Sequence, residues 1–238
     1  MSFRKYNHND KIFLEENEKS FYLAGFTAAD GCVMNDSKRY ILKIKLASKD
    51  ESHLLKIKNL FEATNPIYYN YNKKENTSNV MLVLSSKDMI NDLKKFNIVP
   101  RKTKIYTFPE WLIDHPLVHH FMRGYFDGDG SVYIKKIINQ PDQLGIEIGG
   151  NSLFISLYGN IIDRQCNFMH HSINIRDNDN ARVCYGGTNN ILKIKSFLYK
   201  DATIFLDRKK DLFSKSLEYS KRTRTRSDDG RFSKSVII

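Results

Sequence analysis

Two aspartates head the residues able to do chemistry. Asp30 closes the stretch FYLAGFTAADG (21–31) and Asp129 closes HFMRGYFDGDG (120–130), each followed at once by a glycine. Aligned on the Asp-Gly pair, both stretches place a glycine in the same register (Gly25, Gly124) and a small residue before the acid (Ala29, Gly128). A lone Asp-Gly reads as a turn. Here each Asp ends a helical stretch, where a carboxylate meets the negative end of the helix dipole at a cost of roughly 0.3–1 kcal/mol. If the two helices lie in parallel, two carboxylates and two helix C-termini meet at one place and call for cations. Oxygen donors with room for water and phosphate suit Mg²⁺. Two carboxylates flanking a phosphodiester suit metal-assisted hydrolysis. A further acid, Asp127, faces Ala28 in the alignment and is read as structural.

The elements that must position these acids follow from the glycines. Gly25 and Ala29 lie four apart on one helix face, as do Gly124 and Gly128. Glycine inside a helix costs roughly 0.5–1 kcal/mol relative to alanine. Close approach of two helices through these small residues offsets it. Gly31 and Gly130 are expected to end the helices in the left-handed conformation. After each Asp-Gly the same order recurs: two strands, a helix, two strands, a helix. In the first copy these are RYILKIKLAS (39–48) with its partner, a helix over 49–63, strands around 66–73 and 79–86, and a helix over 87–96. In the second they are strands within 131–136 and 144–150, a helix over 151–165, strands within 171–178 and 181–187, and a helix over 189–200. The segment 107–116 links the copies, with Asp114 as the expected N-cap of the second motif helix and Pro116 in its first turn.

Composition narrows the partners. Lysine and arginine number 38 against 27 acids, a net charge of +11, which favours a polyanion, with nucleic acid first. No apolar run has the length of a membrane span, and the first twenty residues hold no secretory signal core. Cys32, Cys166 and Cys184 make neither a disulfide framework nor a zinc spacing, which points to a reducing interior: a bacterial or phage-infected cytoplasm, or an organelle matrix. From about Ser214 apolar periodicity is lost, so 214–238 reads as a mobile basic tail. Its Lys221, Arg222, Arg224 and Arg226 are expected to touch phosphates.

LAGFTAADG and MRGYFDGDG resemble the nine-residue signature of the LAGLIDADG homing endonucleases, and the resemblance extends over roughly 17–213. Phe26 and Thr27 replace apolar signature positions, and Ala28 replaces an acid. The resemblance implies an α+β fold of two pseudo-symmetric αββαββα units in one monomeric chain, 1–106 and 107–213. Two antiparallel sheets would form a saddle over double-stranded DNA. It implies divalent metal on Asp30 and Asp129, and a basic residue beside each scissile phosphate. Lys102 and Lys209, from the matching VPRKTK and LDRKKD exits, are the candidates, with Arg101, Lys104, Arg208 and Lys210 competing. Strand alternation sets Lys43, Lys45, Asn70, Asn72, Ser172, Asn174 and Arg176 opposite the core, as a groove-reading face. Tyr68, Tyr69 and Tyr71 either pack on DNA or fill the strand pair. The adjacent pairs His119–His120 and His170–His171 each diverge, so neither is read as a metal site. The same family resemblance leaves two other activities open: an RNA maturase acting on a host intron, and a non-catalytic DNA-binding regulator. Retention of both Asp30 and Asp129 argues against the regulator.

Overall fold

The computed structural model describes residues 5–36, 39–135, 143–169, 172–175 and 179–220. The first half runs α1 (Glu18–Asp30), β1 (Gly31–Asp36), β2 (Arg39–Ala47), α2 (Glu51–Leu60), β3 (Ile67–Asn72), β4 (Thr77–Ser85) and α3 (Lys87–Asp92). The second repeats the order with α4 (Val118–Asp129), β5 (Gly130–Lys135), β6 (Gln143–Asn151), α5 (Ser152–Cys166), β7 (Ser172–Ile175), β8 (Asn180–Gly186) and α6 (Thr188–Leu198), and a further helix, α7 (Asp207–Ser220), follows. Each half holds one four-stranded antiparallel sheet, in the orders β1-β2-β4-β3 and β5-β6-β8-β7. This is the expected α+β fold of two αββαββα units.

The motif helices pack on each other as their small residues require. A side chain added at Gly25 would collide with the backbone of Phe121 and Tyr125, and one at Gly124 with the backbone of Tyr22 and Phe26. The contacts are reciprocal across a pseudo-twofold axis. Ala29 meets Gly128 in the same register, so the helices run parallel and end together. Asn17 starts α1 by accepting the Ser20 N–H at 3.0 Å.

Alternation in β2 turns Leu42, Ile44 and Leu46 into the core and leaves Lys45 exposed and Lys43 half-buried on the other face. Val80, Leu82 and Leu84 of β4 share the inner face, as do Ile146, Ile148, Val183 and Tyr185 in the second sheet. Leu54 and Ile57 of α2, and Phe154, Tyr158 and Ile162 of α5, close over the inner faces.

Three local expectations are corrected. Gly31 (φ −80°) and Gly130 (φ −85°) are extended, not left-handed. Crowding is what demands glycine there: a Cβ at Gly31 would lie 2.6 Å from the Thr27 carbonyl oxygen, and one at Gly130 2.6 Å from that of Phe126. Asp114 does not cap α4. It pairs with Arg164 at 2.8 Å, while the His115 ring accepts the Leu117 N–H at 3.1 Å. The chain does not lose structure at Ser214, because α7 runs on to Ser220, anchored by the fully buried Phe213. The charged run Lys221 to Arg226 lies outside the described residues.

Candidate active site

Asp30 and Asp129 end α1 and α4, and the parallel packing brings them face to face at the open end of the helix pair. Both side chains reach solvent, yet protein crowds them on the other sides. Burial and the facing Asp129 carboxylate push the Asp30 pKa up to about 6, with Lys209 and Lys102 pulling the other way. Burial also raises Asp129, against the same two lysines.

The two lysines are buried, so neither is a solvated loop charge. Lys102 is 7% exposed and donates to the Gly31 carbonyl at 2.7 Å, just past the end of α1. Lys209 is 2% exposed and donates to the carbonyls of Phe126 (2.7 Å), Asp127 (2.7 Å) and Gly128 (3.3 Å), closing the last turn of α4. A cation there offsets the negative helix end. Burial lowers the pKa of both, that of Lys209 to about 8. The charges are matched across the halves. Lys102 and Lys209 each pull down the pKa of both acids. Each lysine therefore stands at the end of its own unit's motif helix and acts on both acids.

The competing cations are placed elsewhere. Arg208 forms a bidentate pair with Asp50 at 2.7 and 2.9 Å, and Lys210 lies over the Phe205 ring. Arg101 and Lys104 are exposed. Among the described residues no group of three or more His, Cys, Asp or Glu could hold a metal. The charged hard donors at the helix ends are the two carboxylates, whose mutual repulsion a divalent cation would relieve.

Asp127 is structural, as expected: it is 2% exposed and accepts three hydrogen bonds. His119 and His120 are buried in α4, and His120 contacts Arg123 at 2.8 Å. His170 and His171 lie outside the described residues.

The outward faces of the sheets carry the other candidates. Register sets Lys43 beside Cys32 and Val83, Lys45 beside Met81, Tyr68 beside Met81 and Asn70 beside Asn79, so Lys43, Lys45, Tyr68, Asn70 and Asn72 share the face away from the core. Tyr69 and Tyr71 fall on the opposite face at the sheet edge, where their hydroxyls donate to Glu51 (2.6 Å) and Asn76 (2.8 Å). In the second sheet Ser172 pairs with Cys184 and Asn174 with Arg182. Arg176 lies outside the described residues.

Sequence reasoning missed two features. Arg182, next to Asn174, holds Glu147 on the outward face. Arg123 is fully buried in α4 and donates to Glu18 (2.6 Å), Leu198 O (3.0 Å) and Ile204 O (2.9 Å). Glu18 in turn accepts from Thr203 and Ile204. The available signal was a lone charge within the apolar run FMRGYF.

Residues 17–105 match the family model described as the LAGLIDADG-like domain. The N-terminal half is a LAGLIDADG-like domain. Over nearly its whole length the chain has the LAGLIDADG homing-endonuclease fold. It is similar to the LAGLIDADG homing endonuclease I-GzeII in complex with its DNA target, at 16% identity and a TM-score of 0.59, covering 91% of this chain and 94% of that one. Likewise similar is the homing endonuclease I-WcaI bound to its DNA recognition sequence (13% identity, TM-score 0.60, 82% of this chain and 85% of that one). I-SmaMI bound to uncleaved DNA in the presence of calcium ions matches at 13% identity and a TM-score of 0.55, over 87% of this chain and 90% of that one. No curated protein matches this chain. Its three cysteines are free thiols, and no helix among the described residues is long and apolar enough to cross a membrane.

Proposed function

We propose that this protein is a site-specific double-strand DNA endonuclease that hydrolyses phosphodiesters with divalent metal, Mg²⁺ by preference, held by Asp30 and Asp129. One observation carries the reading: two crowded carboxylates end parallel helices, and a buried lysine stands at the end of each helix. A protein that only binds DNA gains nothing from that repulsive pair. The relatives of the same fold are complexes with DNA.

When bound, the metal supplies Lewis-acid stabilisation of the attacking and leaving oxygens. The chain's own residues do the rest. Asp30 and Asp129 hold negative charge where a phosphodiester would otherwise be repelled without a cation. Lys102 and Lys209 each offer a preorganised positive charge at the end of one motif helix, suited to the charge that develops on phosphorus-bound oxygens. Lys102 spends one of its three donors on Gly31 and keeps the others for phosphate or water. The small residues of α1 and α4 set the spacing of the two acids. Lys43, Lys45, Asn70, Asn72, Ser172, Asn174 and Arg176 read base edges, with lysine or arginine at guanine and asparagine at adenine. Lys221, Arg222, Arg224 and Arg226 contribute phosphate contacts. One chain supplies both half-sites, so the working unit is a monomer.

Cleavage-site selection from a randomised duplex library tests this. The protein should recover one long preferred sequence, cut on both strands in Mg²⁺ and left intact in EDTA. Tight binding to host intron RNA, with no duplex cut under any metal, would favour the maturase instead.

A further inference from the structure

Asp127 is fully buried beside the site, and the proposed chemistry gives it no task. Its Oδ2 accepts the Tyr22 hydroxyl at 2.7 Å and the Leu206 N–H at 2.8 Å, and its Oδ1 accepts the Tyr199 hydroxyl at 3.4 Å. Leu206 stands directly before α7. Its carbonyl accepts the N–H groups of Lys209 (3.1 Å) and Lys210 (3.2 Å), the first bonds of that helix. The bond from Leu206 to Asp127 therefore fixes the origin of the helix that carries Lys209. The carboxylate also lies at the positive end of α7, which favours it there. Lys209 then reaches back to the carbonyls of Phe126, Asp127 and Gly128. The side chain of Asp127 holds the helix, and the helix returns its lysine to the backbone around Asp127.

The first half is built otherwise. Ala28 occupies the matching position and has no carboxylate to offer. Lys102 stands on a short 3-10 turn, Lys102–Lys104, and among the described residues donates to Gly31. The two lysines thus reach comparable places by different means.

We propose that Asp127 is a positioning residue for Lys209, and through it for one of the two strand cuts, the one that Lys209 assists. The inference rests on the endonuclease reading above. Removing the anchor lets α7 shift and carries Lys209 away from the end of α4, while Lys102 keeps its bond to the Gly31 carbonyl.

The test uses full-length protein and its selected duplex with each strand end-labelled in turn. Asp127→Ala should slow one strand roughly 10- to 100-fold relative to the other, the usual range when a partner that orients a reacting group is removed. Supercoiled plasmid should then accumulate as nicked circles. Asp127→Asn keeps an oxygen facing the Leu206 N–H and should fall between wild type and alanine. Lys209→Met should slow the same strand. A loss shared equally by both strands, or an unchanged strand ratio, overturns the positioning role. So does a Lys209→Met enzyme slowed on the other strand or on neither. If Asp127→Ala does not fold, the strand ratio of Asp127→Asn decides by the same criterion. Wild-type protein that cuts no duplex at all defeats the endonuclease reading itself, a result distinct from any of these.

Discussion

At the scale of residues, the site is a balance of charge held in crowded surroundings. Asp30 carries the clearest consequence for pH. Its folded pKa is about 6 against an ordinary 3.8, so the native protein keeps that proton to higher pH than the unfolded chain does. The cost of the charged form is fully present above about pH 6 and vanishes as pH falls toward the unfolded value. Metal-free Asp30→Asn should therefore melt above wild type near neutral pH, and the gap should close on acidification toward about pH 4. Melts in EDTA across that window check the sign, and a gap that widens in acid would show that Asp30 is not under repulsion. Asp30 and Asp129 were legible because the Asp-Gly pair recurs in register. Lys102 and Lys209 were legible only as members of basic clusters. Nothing in VPRKTK or LDRKKD says which cation turns inward, since that depends on where the exit segment crosses the helix ends. The burial of Arg123 also escaped, because its partners, Glu18 and residues 198–204, are distant in the chain.

At the scale of elements, the close-packed α1–α4 pair joins the two halves. Gly25→Leu or Gly124→Leu should lower stability by at least about 1–3 kcal/mol, the usual cost of overpacking, because even a methyl at either site meets backbone on the facing helix. Thermal or urea unfolding measures this, and an unchanged midpoint would mean that the helices do not meet through these positions. The second clamp is the Arg123–Glu18 pair, which ties the start of α1 to α4 and to the chain leading into α7. Arg123→Ala removes the buried cation and strands its acceptors, so a loss of roughly 3–5 kcal/mol is expected. Urea denaturation would read it, and a loss under about 1 kcal/mol would place the pair among weak surface bridges. The strands and most helices could be read from alternation such as Leu42, Ile44 and Leu46 against Lys43 and Lys45. Helix α7 could not be read in full, because its sequence DRKKDLFSKSLEYS is mostly polar and is secured at a few points: Lys209, Phe213 and the Arg208–Asp50 pair.

At the scale of the whole molecule, a repeated unit makes one site from two halves. The order of elements was legible because both copies follow the same plan after Asp-Gly. Less legible was that both lysines would act on both acids, which arises only when the halves dock. The net charge of +11 and the basic run Lys221, Arg222, Arg224 and Arg226 give a separate expectation. Truncation after Ser220 should weaken cognate and scrambled duplexes by similar factors. It should also make the slope of log K against log salt shallower by about 0.9 for each phosphate that the tail no longer neutralises. Titrations at several salt concentrations measure both. A truncated protein with a new preferred sequence would show that the tail reads bases. The most direct test of the central claim is strand-resolved cleavage by Asp30→Asn and Asp129→Asn on the selected site, with Mg²⁺ for cutting and Ca²⁺ for binding. Double-strand cleavage should be abolished in each single variant while affinity for the duplex stays near wild type; wild-type cutting by both variants would contradict the assignment of the two motif aspartates as the metal-holding centre.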